Sequence, residues 1–241
     1  MMRYTGRAIW SLCCLTLLTG AGYSVYAQEG EGGGGPGGAG SAESSEGTIY
    51  CANLIYADDK TSICFSDTFL GEVREETHIK THPTFEDVRL DSTELFDYPF
   101  VVMTGEGQFT IRDEQLTNLK DYLDSGGFLL ASAGCSSKPW NTSFAQVMRD
   151  AYPDTELIRL EADHPIYHSV YDVEKSRYKS GGPKLPVLDA LQIDGRVVMV
   201  WSPDGLNDTA NAGPECCCCG GNEVKSARKL NVNILAYALT H

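Results

Sequence analysis

The sequence predicts an α/β fold with three layers, in which helices cover both faces of a mostly parallel β-sheet. Two short runs, residues 100–103 and 128–133, are continuously apolar, as is typical of strands buried on both faces of such a sheet. Between them, apolar residues recur at helical spacing after Thr110, a residue type favoured at N-caps. Gly126-Gly127 ends this helix, because glycine tolerates the left-handed conformation that follows a helix. A strand, a helix and a second strand in this order predict a parallel sheet.

Strands and helices alternate along the rest of the chain as well. A first strand is predicted at 49–56, which is rich in β-forming residues, and a helix at 67–76 follows it. The next strand is expected either at 78–81 or at 88–90. The remaining segments are a helix at 141–152, which Pro153 ends, a strand at 156–160, a strand at 197–201 and a helix at 224–239.

The first residues have the pattern of a secretory signal. Arg3 and Arg7 provide a basic start, residues 8–18 are largely apolar, and small residues precede Gln28 at the positions that a signal peptidase reads. A permanent membrane anchor is the alternative, but the apolar run is shorter than the ~20 residues that a span needs. We therefore expect a signal peptide at 1–27 and an extracytoplasmic protein, periplasmic or secreted, without a stable membrane span after cleavage.

A glycine-rich segment separates this signal from the folded part. Residues 28–47 consist almost entirely of Gly, Glu, Ser, Ala and Pro, which bury little apolar area, so a flexible, disordered linker is predicted. Residues 48–241 then form a single α/β domain of ordinary size.

The charge of the chain restricts its partners. The formal net charge is −14, with 33 acidic and 19 basic residues. Because affinity for phosphate backbones and anionic lipids depends on Lys and Arg, we expect no nucleic-acid partner. We expect instead an unknown protein partner or a small ligand.

Three polar segments are predicted to meet at one edge of the sheet. They are residues 104–107, 134–137 and 202–205, and each follows a predicted buried strand. In parallel sheets, ligands bind beyond the carboxyl ends of the strands, so a functional site is expected at this edge.

Several motifs resemble the bacterial domain family DUF4159. The resemblance rests on residues 98–105, on 123–130 with Gly126-Gly127, on the Asp163-His164-Pro165-Ile166-Tyr167 motif and on the closing 231–241 segment, and it spans nearly all of 48–241. It implies a class I glutamine-amidotransferase-like, or flavodoxin-like, sheet and an exported setting, but no particular reaction. The cysteines described next look like features of a subgroup of that family.

Four consecutive cysteines, Cys216, Cys217, Cys218 and Cys219, precede the final helix. Thiolates bind soft metals and exchange disulfides, so the run suggests a centre for zinc, copper or iron, to which Cys135 also contributes. Consecutive side chains in an extended loop point in alternate directions, which limits how many of the four reach one ion. The competing interpretation is two disulfides that pair the run with Cys135 and another thiol. A disulfide between Cys51 and Cys64, or two buried thiols there, is a further expectation.

Cys135 is also a candidate nucleophile. It follows a central strand, where amidotransferase-like folds carry their catalytic cysteine on a sharp turn, and His164 or His168 is a candidate base. Ser136 and Ser137 stand where small residues would let that turn bend tightly, and no His-x-Glu pair occurs near the C-terminus. His164 and His168 are four residues apart, a spacing that would suit a metal site on a helix. Pro165 restricts His164 to extended geometry, however, so two histidines in a loop are the preferred interpretation.

Two functions follow. The first is an exported, non-catalytic binding or assembly module with an amidotransferase-like fold, whose cysteine-rich edge holds a soft metal or disulfides. The alternative is an enzyme, a thiol-dependent hydrolase or amidase or a redox protein that uses Cys135. The incomplete set of catalytic parts favours the first.

Deletion of residues 28–47 should leave the melting temperature of the protein nearly unchanged. Their composition cannot offset the conformational entropy that ordering them would cost. Differential scanning calorimetry of the deletion variant beside the intact chain measures the effect. A drop of more than a few degrees would mean that the segment packs on the domain.

Overall fold

A mixed β-sheet forms the centre of the structure, a computed structural model that describes residues 47–61, 63–216 and 222–241. Across these residues the strands lie in the order β2-β1-β3-β4-β7-β6-β5. The first five in this order are parallel to one another, whereas β6 and β5 each run antiparallel to the preceding neighbour. The strands are β1 (Cys51–Ile55), β2 (Glu86–Arg89), β3 (Phe100–Gly105), β4 (Phe128–Ala133), β5 (Ile158–Arg159), β6 (Asp189–Ile193) and β7 (Arg196–Ser202).

Helices cover both faces of this sheet, so the predicted three-layer α/β fold is confirmed. They are α1 (Thr68–Glu76), α2 (Asp113–Asp124), α3 (Lys138–Ala151) and α4 (Ala227–Thr240). Helices α1 and α4 pack together on one face, and α2 and α3 pack together on the other. Strand β3 shows the two sides directly, since Phe100 and Val102 belong to the core beneath α1 and α4, while Val101 and Met103 belong to the other core. In the described ranges, no helix is long and apolar enough to cross a membrane.

The parallel strands have the order of a flavodoxin-like doubly wound sheet, with β7 as the fifth strand. The chain winds from β1 through α1 to β2 in one direction, and from β3 through β4 to β7 in the other. The direction changes between β1 and β3. The carboxyl ends of these two strands therefore flank the crevice where folds of this kind bind their ligands.

The structure decides between the two alternatives for the second strand and adds one strand that was not predicted. Of the two alternatives for the second strand, the one at 88–90 is right, because β2 covers Glu86–Arg89, whereas Thr81 makes only an isolated bridge with Ile49. Strand β6 was not predicted, although Asp194-Gly195 is a strong hairpin signal. Both residues have positive φ, of 51° and 82°, as the tight turn between β6 and β7 requires.

Two helices begin at other residues than expected. Helix α2 begins at Asp113, because the Gln115 side chain accepts a hydrogen bond from the Arg112 backbone N–H and starts the helix there, beyond Thr110. Helix α3 begins at Lys138, earlier than predicted, since the Ser137 hydroxyl caps it by accepting from the Trp140 N–H at 3.3 Å.

Substitution of Phe100 by alanine should lower the free energy of unfolding by about 3–5 kcal/mol, the usual cost of deleting a buried phenyl ring. Phe100 is fully buried and stacks on Phe128 of the neighbouring strand, with ring centroids 5.6 Å apart. Urea unfolding followed by circular dichroism measures the loss. Phe96→Ala is the matched control, because Phe96 is 44% exposed and should cost about 0.5 kcal/mol or less. Equal losses for the two variants would contradict this packing.

Candidate functional site

The three polar segments predicted to share an edge do meet there. Strand register places Gly105 beside Ala133 and Ser132 beside Ser202, so the ends of β3, β4 and β7 lie at one level. We refer to this edge as the rim, and to residues 203–216, which follow β7 across it, as the rim loop.

The crevice at the rim between β1 and β3 is filled by side chains. The Tyr56 hydroxyl, on a residue only 1% exposed, donates to the Thr104 carbonyl at 2.9 Å and accepts from the Trp140 indole N–H at 2.7 Å. Burial raises the pKa of Tyr56 to about 12, so the hydroxyl stays protonated. Gly105 has no side chain here, and a Cβ on it would stand 2.3 Å from the Tyr56 oxygen. The pair therefore occupies the position that a ligand takes in related folds.

The rim loop is anchored by the buried amide of Asn207. Its Nδ2 donates to Oγ1 of Thr104 at 2.8 Å, and its Oδ1 accepts from Oγ of Ser132 at 2.6 Å. The Ser132 oxygen in turn accepts from the Leu206 backbone N–H at 2.8 Å. One side chain of the loop thus joins β3 to β4, and the buried hydroxyls of both strands have partners.

Gly205 lets the rim loop approach this closely. Its φ is +89°, and a Cβ there would lie 2.3 Å from the Ala133 carbonyl oxygen. Further along the chain, Asn231 of α4 donates from Nδ2 to the Leu206 carbonyl at 2.9 Å. The loop is therefore held both by the strand ends and by α4.

Asp208, the next residue, is a buried carboxylate with several hydrogen-bond partners. It is 2% exposed and accepts from Nδ2 of Asn222 at 2.5 Å and from Nδ2 of Asn211 at 2.9 Å. Nε of Arg228 lies 3.9 Å from its Oδ2. A buried carboxylate costs free energy unless it is hydrogen-bonded or paired, and here both conditions are met. Asp208 has a positive φ of 50°, a conformation that aspartate tolerates better than most residues.

A disulfide between Cys64 and Cys216 closes the end of the rim loop. The two Cα atoms are 5.0 Å apart, although 152 positions separate them in sequence. The expectation of a disulfide joining the cysteine run to another thiol is thus confirmed at Cys216. In this oxidised form Cys216 is not a thiolate and does not supply a metal ligand.

Cys51 is a free, buried thiol, so the disulfide considered between Cys51 and Cys64 is not formed. Cys51 begins β1 and belongs to the core beneath α1 and α4. Cys64 lies beyond the carboxyl end of the same strand, near Ser66, whose N–H donates to the Asn207 carbonyl of the rim loop. Burial raises the pKa of Cys51 to about 12, which keeps it in the unreactive thiol form.

Cys135 lies at the rim, directly after β4, as predicted. Cys135 and Ser136 have positive φ values of 51° and 53°, which are unusual for residues other than glycine. The Ser136 hydroxyl donates to the Asp204 carbonyl at 2.6 Å, which ties this sharp turn to the rim loop. Cys135 is disulfide-bonded, and its sulfur lies 3.7 Å from Oε1 of Glu106.

The structure does not bring His164 to Cys135. His164 packs against Tyr237 in the last turns of α4, with ring centroids 5.5 Å apart. That end of α4 lies at the amino edge of the sheet, because Arg196, the first residue of β7, donates to the Ala238 carbonyl at 3.5 Å. Seven residues of extended strand span about 20 Å, which is roughly the separation between the two edges.

The two histidines near Pro165 have opposite titration behaviour. His164 is extended, as Pro165 predicted, and burial lowers its pKa. His168 is exposed, and its pKa is raised by the hydrogen bond between Nδ1 and the Asp172 carboxylate at 2.8 Å. His164 therefore loses its proton at a lower pH than an ordinary histidine and His168 at a higher pH, and neither lies at the rim.

Within the parts of the chain that the structure describes, no three His, Cys, Asp or Glu side chains are grouped so that they could hold a metal ion. Cys217, Cys218 and Cys219 lie outside those parts. Since Cys135 and Cys216 are disulfide-bonded here, a zinc, copper or iron centre formed by Cys135 and the cysteine run stays a prediction for the reduced protein alone.

Two cavities adjoin the rim loop. One, of about 10 Å³, lies between Cys135, Gly205 and Asn207, and is about the smallest space that could hold one water molecule. The other, of about 440 Å³, lies on the far side of the loop at the first turn of α4. Cavities of that size fall in the range of small-molecule sites.

These features define a class: a doubly wound α/β protein with a flavodoxin-like strand order, in which a disulfide-bonded loop covers the carboxyl edge of the sheet. The chain belongs to the family described as domain of unknown function (DUF4159), whose profile matches residues 53–239, from β1 to α4. The predicted resemblance is confirmed. No curated protein matches the chain.

The three segments that meet at the rim were predicted from the sequence, but the side chains that hold the rim loop there were missed. Nothing in the pattern of residues 204–208 showed that Asn207 would reach two strands. Likewise, Asn222 and Asn231 gave no signal, because a buried amide and a solvated one look alike in a sequence. The Gly205 conformation was the one detectable hint, since glycine is frequent at positive φ.

Removal of the Cys64–Cys216 cross-link should lower the free energy of unfolding by about 2–5 kcal/mol, since the bond restricts a long loop of the unfolded chain. The variant is Cys64→Ala with Cys216→Ala, unfolded in urea without reductant. Its m-value should also rise, because the unfolded chain exposes more surface once it is no longer cross-linked. Cys51→Ala is the control, since it removes a thiol without removing a cross-link. A double variant as stable as the original chain would contradict this role.

Proposed function

We propose that this chain is an extracytoplasmic, non-catalytic binding or assembly module with an amidotransferase-like fold and a cysteine-rich rim fixed by disulfides. The observation that carries the proposal is the closure of the rim. Tyr56 and Trp140 fill the crevice between β1 and β3, and Asn207 fixes the rim loop over β3 and β4. At the strand ends, where proteins of this fold usually bind their ligands, side chains therefore hold the structure together. The adjacent 440 Å³ cavity has room for a ligand.

Two features support an oxidising compartment outside the cytoplasm. The Cys64–Cys216 disulfide is of a kind that persists in secreted and periplasmic proteins and is rare in the cytosol. Residues 1–27 have the pattern of a cleavable signal, and residues 28–47 that of a flexible tether. We infer that the domain is exported and works at the end of this tether.

A second candidate is a thiol-dependent hydrolase, or a redox protein, that uses Cys135. Its support is the backbone at Cys135 and Ser136, where two successive residues other than glycine have positive φ. Such strain costs of order 1–3 kcal/mol per residue and clusters at functional sites. Reduction would release the Cys135 thiol at the end of a central strand, where nucleophiles project in α/β enzymes. With His164 at the other edge, this candidate needs a different base.

Alkylation with iodoacetamide near neutral pH distinguishes the binding module from a thiol-dependent hydrolase, the form of the second candidate that needs a Cys135 thiolate in the native protein. For a binding module, Cys135 should stay unmodified in the native, unreduced protein, because a sulfur in a disulfide is no nucleophile. The measurement is peptide mapping by mass spectrometry after brief labelling. Labelling released by reductant indicates a disulfide, and labelling released by a chelator indicates a metal site. Stoichiometric labelling of native Cys135 without either reagent would favour the enzyme.

Cys51 provides an internal control for this experiment. Its buried thiol should be silent in the native protein and should react once the chain is unfolded in urea without reductant. A native sample in which Cys51 already reacts is partly unfolded, and its Cys135 result is then repeated on a folded preparation.

A further inference from the structure

The 440 Å³ cavity beside the rim loop, here called the α4 pocket, lies at the amino end of α4. Asp208 and Asn222 form its wall towards the rim, and Ser226, Arg228 and Lys229 form its wall at the helix. We propose that the α4 pocket binds a small ligand carrying a phosphate or carboxylate group. The inference rests on the proposed binding function and names the chemical class of the ligand.

The first argument is a local excess of positive charge. Three acidic and five basic residues line the pocket, in a chain whose net charge is −14. Since the surface as a whole is acidic, this cluster is a local reversal of sign. The basic residues are Lys175, Arg177, Lys225, Arg228 and Lys229.

The second argument is that the acidic residues have other partners. Asp208 accepts from two asparagines, and Glu72 accepts from the Tyr171 hydroxyl at 2.6 Å and pairs with Arg228 at 3.2 Å. The third, Asp172, bonds His168. Hydrogen bonds from neutral groups leave a carboxylate charged, so these three residues offset part of the charge of the lining, and the five cations still outnumber them.

The basic residues, in contrast, are mostly unpaired. Among the described residues, Lys175, Arg177 and Lys225 form no ion pair, and the ammonium of Lys229 lies only over the Tyr171 ring, 4.9 Å from its centroid. Cations gathered around a concave surface repel one another, and an anion relieves that repulsion.

The third argument comes from α4 itself. This helix has 14 residues and no acidic residue in its first turn, whereas Arg228 and Lys229 lie within that turn. The amino end of a helix carries a partial positive charge and unpaired backbone N–H groups, so cations there are unfavourable and an anion is favourable. Helices are usually stabilised by acidic residues in the first turn, and α4 has basic residues there instead. An anionic ligand bound at this helix start would offset the positive charge.

Ser226 precedes α4 but leaves the start of the helix uncapped, since its side chain makes no capping hydrogen bond. Its Oγ has less than 1 Å² of accessible surface, so a ligand in the pocket does not contact this hydroxyl. Its backbone N–H is fixed by Oγ of Ser176 at 3.0 Å, so the residue is held in place. The groups at this helix start that an anion would bind are therefore the backbone N–H groups that Ser226 does not cap.

Nuclear magnetic resonance titration of the full chain tests this proposal. The probes are glucose 6-phosphate, glucuronate and glucose, which share a sugar ring and differ in the phosphate, the carboxylate or the absence of charge. We expect saturable amide shifts at 226–229 with one or both charged probes and none with glucose. The responding probe tells whether phosphate or carboxylate is preferred.

Matched variants locate the site. Arg177→Gln and Lys225→Gln should each weaken binding about tenfold, the usual effect of losing one charge-assisted hydrogen bond. Lys80→Gln changes the net charge equally, at an exposed lysine outside the α4 pocket, and should leave the affinity unchanged. The spectra themselves show whether each variant is folded. If either Arg177→Gln or Lys225→Gln is unfolded, the other variant still tests the prediction.

Three outcomes would overturn the proposal: no saturable shift at millimolar probe, equal shifts with glucose, or equal weakening by Lys80→Gln. These outcomes concern the ligand class alone. The proposed binding function is judged separately by the reactivity of Cys135, so the two failures are distinguishable.

Discussion

The amide of Asn207 is the interaction on which the arrangement of the rim depends. By bonding Thr104 and Ser132 at once, it provides partners for two hydroxyls that the parallel strands leave buried at their ends. A buried hydroxyl without a hydrogen-bond partner costs free energy, and so does a buried amide without partners. The hydrogen bonds between Asn207 and the two hydroxyls remove both costs. With the rim loop held in this position, Asp208 is placed against Asn222, and Asn231 of α4 bonds the loop. The end of the loop also brings Cys216 to Cys64.

In doubly wound sheets, the crevice at the strand ends is usually also the space where a ligand binds. In this chain the closed rim separates the two. The strand ends define the edge where a ligand is expected, but the switch-point crevice between β1 and β3 is packed with aromatic side chains. Space for a ligand lies instead on the α1 and α4 side, outside the rim loop. Strand order alone therefore does not show where this chain would bind a ligand.

The core of the fold could be predicted from the sequence, whereas the rim could not. The residues of β3 and β4 are apolar on both faces, so their pattern admits few other structures. Strand β5, with only two residues, and the polar stretch before Asp208 have no such pattern, because their positions depend on partners far along the chain. The location of Cys135 after a buried strand was predictable, while the distance from His164 depended on the path of the chain over α4.

The burial of Cys51 bears on the order in which the chain folds and oxidises. Cys51 and Cys64 are near neighbours in sequence, and in an unfolded chain close cysteines pair more readily than those 152 positions apart. Insertion of β1 into the sheet removes Cys51 from this competition, since a buried thiol with a high pKa is a poor partner in disulfide exchange. If the sheet forms before oxidation, the burial of Cys51 leaves Cys64 to pair with its distant partner.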